Sequence, residues 1–144
     1  MKRIISVLLM LVMAMSIVAC NSTETDKTPE TTVSPIEEAK TKLQEAYDTC
    51  CTGSGKSQYA RLGYDEMSLV IDTKPDDSYF RYEDDALSAI VRVNTYLGLP
   101  SSLTEKMSST RALDGTQTQN CGKYTVTWNY HPDNGLKVIY EVNP

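Results

Sequence analysis

Apolar residues recur with two different periods along this chain, and the first of them predicts a helix. Between residues 35 and 51 the apolar side chains return every three or four positions, at Ile36, Ala39, Leu43, Ala46, Tyr47 and Cys50. Ser34, Pro35 and Glu37 fit the start of a helix, because they supply a cap, a first-turn proline and a capping-box glutamate. Gly53 fits its end. We therefore predict a first helix over residues 35–51.

The middle of the chain changes to an alternating pattern and then returns to the helical one. Met67, Leu69 and Ile71 alternate with their neighbours and predict a strand that ends before Pro75. A second short strand over residues 59–62 remains an open alternative. After Asp84 the helical period reappears, and its predicted buried face consists of Leu87, Ile90, Val91 and Leu97.

A third, short helix follows the second. Gly98 and Pro100 predict the end of the second helix. Ser102 and Glu105 have capping-box spacing, and we expect them to begin a helix that runs to about Ser109.

The last twenty or so residues carry the clearest alternation. Large side chains occupy every second position on either side of a turn sequence, at Tyr124, Val126, Trp128, Tyr130, Leu136, Val138, Tyr140 and Val142. A five-residue turn from His131 to Gly135 would pair Tyr130 with Leu136 and Trp128 with Val138, which puts every large residue on one face. The opposite face would then be polar, with Thr125, Thr127, Asn129, Lys137 and Glu141.

These elements define the predicted fold class. We expect residues 34–144 to form one α+β domain with a small, single antiparallel sheet of one strand plus a C-terminal β-hairpin. The helices would pack on one face, and the order would be α-β-α-α-β-β.

The first twenty residues have a different organisation. Lys2 and Arg3 precede an apolar run from Ile4 to Val18, which is shorter than a membrane span and fits a secretory signal peptide. The run ends in Ile17-Val18-Ala19-Cys20. This ending resembles the lipobox of bacterial lipoproteins. The resemblance implies that residues 1–19 are removed and that Cys20 receives a diacylglycerol.

The resemblance sets the expected location and the expected membrane contact. The protein would be exported and anchored by its lipid to the bacterial cell membrane or envelope, with its domain outside the cytoplasm. Residues 20–33 are rich in Thr, Ser, Glu and Pro and should form a disordered tether. A net charge of −5 without a basic stripe argues against nucleic acid as a partner.

Three cysteines would remain in the exported domain, where disulfides persist. We predict one bridge from Cys121 to Cys50, with Cys51 as the alternative partner, because Cys50 shares the apolar face of the first helix. A metal site that combines these thiols with His131 is the alternative. Adjacent cysteines do not have the spacing of zinc ligands, and His131 is the single histidine, so we expect no metal.

Two other patterns suggest sites but fit them poorly. Residues 53–57 contain glycines and Lys56, yet the spacing of a phosphate-binding loop is missing and the segment follows a helix. Acidic residues near the second helix lack the order of a calcium loop and suit a helix start instead, at Asp72, Asp76, Asp77, Glu83, Asp84 and Asp85. We therefore expect no cofactor.

Tyrosine is unusually abundant, with nine tyrosines against one phenylalanine. Its densest cluster is Tyr79, Phe80, Arg81 and Tyr82, a possible recognition patch, since tyrosine rings suit wet interfaces. The sequence thus favours a non-enzymatic binding module for an envelope or extracellular protein or glycan. The alternatives are an inhibitor or immunity-type lipoprotein that caps an extracellular enzyme, and a thiol-dependent envelope enzyme that uses Cys51 or Cys121.

Overall fold

Three α-helices, one 3₁₀ turn (Ala112–Asp114) and one antiparallel sheet form the part of the chain that the computed structural model describes, namely residues 33–53, 57–75 and 82–144. The helices are α1 (Pro35–Cys50), α2 (Glu83–Leu97) and α3 (Ser101–Ser109). The strands are β1 (Ala60–Leu62), β2 (Ser68–Asp72), β3 (Gln117–Cys121), β4 (Tyr124–His131) and β5 (Gly135–Val142). The strand order across the sheet is β1-β2-β5-β4-β3. The predicted α+β class, with one antiparallel sheet, is confirmed.

The first helix begins and ends close to its predicted limits. Ser34 accepts a hydrogen bond from the Glu37 amide at 3.4 Å, and Pro35 occupies the first turn. The helix ends at Cys50, one residue before the predicted end, and Cys51 is its C-cap. Its buried face consists of Ala39, Leu43, Ala46 and Cys50.

The C-terminal hairpin has the predicted register. Tyr130 pairs with Leu136, Trp128 with Val138, Val126 with Tyr140 and Tyr124 with Val142. The turn is shorter than predicted, because His131 also pairs with Gly135 and only residues 132–134 connect the strands. Gly135 has a φ of +72°, and a Cβ at this position would collide with the Thr73 hydroxyl. A glycine is therefore required where β5 begins beside Thr73.

Two more strands extend the predicted sheet to five. Strand β1 occupies part of the segment that the sequence left open, and it pairs with β2. Strand β3 was not predicted, because Gln117–Cys121 reads QTQNC and has no apolar alternation. It pairs with β4 through a two-residue turn, in which Gly122 has a φ of +76°. A positive φ at the first turn position but not at Lys123, the second, identifies a type II′ turn, whose twist matches the flanking strands.

The helices cover one face of the sheet and bury its large side chains. Leu69, Ile71, Val126, Val138 and Tyr140 are all fully buried there. The predicted buried face of α2 is partly wrong, because Leu87 is 40% and Val91 is 48% exposed. The helix instead buries a narrower face that includes small residues and one polar residue, at Ala86, Ala89, Ile90, Val93, Asn94 and Leu97.

Asn94 is buried in this core because a hydrogen-bond network satisfies its amide. Its Oδ1 accepts from the Tyr140 hydroxyl at 2.9 Å, and its Nδ2 donates to Thr104 Oγ1 at 3.0 Å. The network joins α2, β5 and α3. Because Asn94 is polar, a helical period taken only from apolar residues assigned the buried face of α2 to the wrong residues.

The start of α3 differs from the sequence prediction. The helix begins at Ser101, its N-cap is Pro100, and no side chain caps it. The capping box expected from Ser102 and Glu105 is therefore absent, since Ser102 already lies inside the helix. Its buried residues are Leu103 and Met107.

The predictions for the signal peptide and for Cys20 lie outside the described residues, as does the tether up to residue 32. Val33, the last residue of the predicted tether, is in irregular structure and 56% exposed. Among the helices that the structure describes, none has the length and apolar character needed to cross a membrane.

Candidate functional site

A cleft opens at the carboxyl end of α1, between this helix, the segment before β1 and the start of α2. Its volume is about 500 Å³, and its walls include Cys50, Cys51, Tyr59, Tyr82, Asp85 and Arg92. Tyr82 belongs to the recognition patch predicted from the sequence. The cleft therefore brings the thiols of α1 and one member of the tyrosine patch into one place.

Side chains from other elements satisfy the last carbonyl groups of α1. Arg92 of α2 donates from Nη2 to the Cys50 carbonyl at 2.7 Å, and the Tyr59 hydroxyl donates to the Cys51 carbonyl at 3.1 Å. The last turn of α1 has no basic residue of its own. Arg92 therefore supplies the positive charge that favours a helix carboxyl end, and it fixes the inner wall of the cleft.

The two thiols of the cleft are buried and protonated. Cys50 is 5% and Cys51 is 3% exposed. Burial raises the pKa of Cys51 to about 12, and the neighbouring Cys50 contributes in the same direction. Burial also raises the pKa of Cys50, against the opposing charge of Arg92. Because the thiolate is the nucleophilic form of cysteine, neither side chain is set up to react at neutral pH.

Two neighbouring tyrosine rings line the cleft. The ring centroids of Tyr59 and Tyr82 are 6.2 Å apart, and the ring planes are inclined at 43°. This tilted arrangement is one that aromatic pairs favour. Asp85, on the first turn of α2, is exposed at the same cleft, about two helical turns before Arg92 on the same helix. Tyr79, Phe80 and Arg81 lie outside the described residues.

The predicted disulfide is absent from the structure, in which Cys50, Cys51 and Cys121 are all free thiols. The distance along α1 explains this. Cys121 pairs with Tyr124, whose hydroxyl donates to the Ala39 carbonyl at 3.0 Å. Ala39 and Cys50 lie about 16 Å apart along the helix axis at 1.5 Å per residue. Cys121 therefore lies beside the amino-terminal half of α1, far from both Cys50 and Cys51.

The other residues considered for chemistry stand apart from one another. His131 ends β4, where its Nδ1 accepts from the Asp133 amide at 3.2 Å. Within the described residues no three His, Cys, Asp or Glu side chains are grouped closely enough to hold a metal ion. Glu83, Asp84 and Asp85 lie in the first turn of α2, as expected for carboxylates at a helix start.

The predicted polar face of the sheet lies opposite the helices. One row of side chains crosses all five strands on this open face: Arg61, Val70, Ile139, Thr127 and Thr118. The Thr118 and Thr127 hydroxyls are 3.2 Å apart. Thr125, Asn129 and Lys137 are half-buried on this face, and Glu141 is exposed.

Sequence reasoning identified the thiols and Tyr82 but missed the residues that complete the cleft. Arg92 lies within an apolar helical stretch, and nothing in its spacing indicates that it reaches α1. Tyr59 precedes a strand of only three residues. The position of Tyr59 in the cleft could be recognised only once the pairing of β1 with β2 was known.

Comparison with known proteins adds no relative. No family model, curated protein sequence or solved structure matches this chain.

Proposed function

We propose that this protein is a lipid-anchored, non-enzymatic binding module of the bacterial envelope, and that the cleft lined by Tyr59 and Tyr82 recognises an envelope or extracellular protein or glycan. The observation that carries this proposal is the pairing of these rings beside Asp85 and Arg92. Rings supply flat apolar contact, while the charged groups supply an acceptor and a donor that orient what binds.

The size of the cleft suits part of a larger partner. A volume of about 500 Å³ falls within the range of roughly 300–1,000 Å³ typical of ligand sites. The cleft is open to solvent and lies at the end of a helix, so an exposed side chain or a sugar ring of a larger molecule can enter it. Binding at such a site is expected to depend on a few anchoring side chains, with tyrosine and arginine foremost.

The state of the thiols supports binding over thiol chemistry at this cleft. A catalytic cysteine needs a lowered pKa, whereas burial raises the pKa of Cys51 to about 12. Arg92, the cation that acts on both thiols within the described residues, donates to the Cys50 carbonyl at 2.7 Å. The alternative of a thiol-dependent enzyme that uses Cys51 therefore gains no support from this geometry.

Replacing Tyr82 with alanine tests the proposal. The chain from residue 21 onward, without the lipidated cysteine, would be immobilised and exposed to purified bacterial peptidoglycan and to extracted envelope proteins. We expect Tyr82→Ala to lose at least tenfold in retention of the bound component. The matched control is Tyr64→Ala, because Tyr64 is fully exposed on the β1–β2 turn. We expect this control to bind as the unmodified chain does.

Thermal unfolding of the same variants separates recognition from folding. Tyr82→Ala should shift the midpoint by no more than a few degrees. Equal retention by all three proteins would contradict the cleft as the recognition site. A large loss of stability together with binding would assign Tyr82 to the core rather than to a partner.

The lipid anchor is tested independently of the cleft. In a bacterial host that processes lipoproteins, the full chain should appear in the membrane fraction with the added mass of its lipid. Cys20→Ala should keep the signal peptide and gain no lipid, since the thiol is the proposed attachment atom. Lipid on Cys20→Ala, or an unmodified mature wild-type chain, would contradict the anchor without bearing on the cleft.

A further inference from the structure

The two outer strands of the sheet differ in how they are protected. Strand β1 has only three residues, and a charged side chain, Arg61, lies at its centre. Strand β3 has five residues and contains no charge and no proline. Short length, charge and proline are the usual means by which proteins keep a free sheet edge from pairing. Strand β3 has none of them.

The turn after β3 determines which of its backbone groups face outward. In a two-residue hairpin the closing pair, here Cys121 and Tyr124, exchanges both of its hydrogen bonds. Since bonded and non-bonded pairs alternate, Gln119 and Gln117 also bond to β4. The amide and carbonyl groups of Thr118 and Asn120 therefore point away from the sheet. Both residues are exposed, and no strand within the described ranges pairs beyond β3.

We infer that β3 is a self-association edge, on which a second copy of this chain pairs antiparallel about a two-fold axis at Gln119. With this axis Thr118 of each copy faces Asn120 of the other, and their outward groups form four hydrogen bonds between the copies. No other register about a two-fold axis overlaps all five residues of the strand. The two sheets then continue as one ten-stranded sheet.

Charge favours a second copy as the occupant of this edge. The chain has a net charge of −5, so most surfaces of two copies repel each other. Strand β3 is uncharged, and an ion pair lies at each of its ends, Arg111 with Asp114 before it and Lys123 with Glu38 after it. Antiparallel pairing of two β3 strands therefore brings no uncompensated like charges together. Pairing with β1 of another copy would instead add the charge of Arg61 to the edge.

The association is expected to be weak in solution. A five-residue strand pair buries less than the roughly 1,000 Å² that a stable interface needs. We therefore expect monomers at micromolar concentration and dimers as the concentration rises toward the millimolar range. Sedimentation velocity of the chain from residue 21 onward, over that range, measures this directly.

A proline at the edge tests which groups form the contact. Thr118→Pro removes an outward amide and leaves the β4 ladder intact, so two of the four bonds between copies are lost. We expect this variant to stay monomeric at every concentration. Thr118→Val is the matched control, because it removes only the hydroxyl that contacts Thr127. It should dimerise as the unmodified chain does.

Cross-linking tests the position of the two-fold axis. In a Cys121→Ser background, Gln119→Cys places two thiols directly opposite in a non-bonded pair, where strand backbones are closest. A disulfide should then form between copies under the oxidant diamide. Asn120→Cys is the control, since its two Cα atoms would lie about 8 Å apart, beyond the roughly 7 Å limit for a disulfide.

Three results would overturn the inference. A chain that stays monomeric throughout the concentration range has no self-association edge. Dimers that survive Thr118→Pro form elsewhere on the surface. Equal cross-linking of Gln119→Cys and Asn120→Cys would exclude the proposed axis. None of these results depends on the cleft or on the lipid anchor.

Discussion

The two faces of the sheet are built from the same strands but differ in what they contribute. On β5, Val138 and Tyr140 are fully buried beneath the helices, while Ile139 between them points to the open face and is half-buried. The covered face holds the apolar contacts of all three helices. The open face carries threonines and charged residues that contact no helix. The apolar burial that stabilises the fold is therefore concentrated on one face of the sheet.

Replacing an isoleucine with alanine should lower the free energy of unfolding much more on the covered face than on the open face. This is the largest difference that we expect. Ile71→Ala removes a fully buried side chain on the covered face and should lower the free energy of unfolding by about 2–5 kcal/mol. Ile139→Ala removes a half-buried side chain on the open face and should cost about 1 kcal/mol. Urea denaturation of both variants measures the comparison.

Equal losses for the two isoleucines would contradict the difference between the faces. They would show that something buries the open face in solution. Repeating the measurement at several protein concentrations would then test whether a second copy covers it, because stability gained from association depends on concentration.

Loss of a hydrogen bond should also cost more stability on the covered face than on the open face. Tyr140→Phe leaves the buried Asn94 Oδ1 without its donor and should cost about 1–3 kcal/mol. Thr127→Val removes a hydroxyl that contacts Thr118 on the open face, where water replaces the lost partner. Its effect should stay within about 0.5 kcal/mol. Thermal unfolding of the two variants, side by side, decides whether Asn94 depends on Tyr140.

The sequence predicted the parts of this fold that apolar spacing controls. The register of β4 and β5 was correct because shifting it by one residue would move every large side chain to solvent. The polar strand β3 was missed, since its pairing is set by the Gly122 turn and by backbone hydrogen bonds. The face of α2 was misassigned because its buried face combines Ala86, Ala89 and Asn94 with larger residues.

The candidate site was less predictable than the fold. Cys50, Cys51 and Tyr82 were identified from residue type alone. Arg92 donates to the Cys50 carbonyl at the carboxyl end of α1, which lies 42 residues earlier in the sequence. Such a contact has no local pattern, because it depends on how two helices pack. The position of Cys121 had no local pattern either, since it follows from the pairing of β3 with β4.

The last expected effect is confined to alkaline pH and comes from the titration of two buried groups. Burial raises the pKa of Cys51 from 9.0 to about 12, and that of Tyr124 from 10.0 to about 12. A buried neutral group of this kind stabilises the fold fully below its unfolded pKa. This stabilisation is lost as the pH rises through the folded value, because the unfolded chain releases the proton first. The contribution of these two groups to the free energy of unfolding should thus be level up to about pH 8 and fall above pH 9.

Removing one of these groups should make the decrease in the free energy of unfolding at alkaline pH less steep. Cys51→Ala should show a shallower decrease between pH 9 and pH 11 than the unmodified chain, when each protein is compared with its own value at pH 7. Tyr124→Phe should show the same change beginning nearer pH 10, since a phenol titrates later than a thiol. Equilibrium denaturation at each pH measures both slopes. An unchanged slope in Cys51→Ala would mean that this thiol ionises as easily in the fold as in the unfolded chain, and that the inner wall of the cleft is open to water.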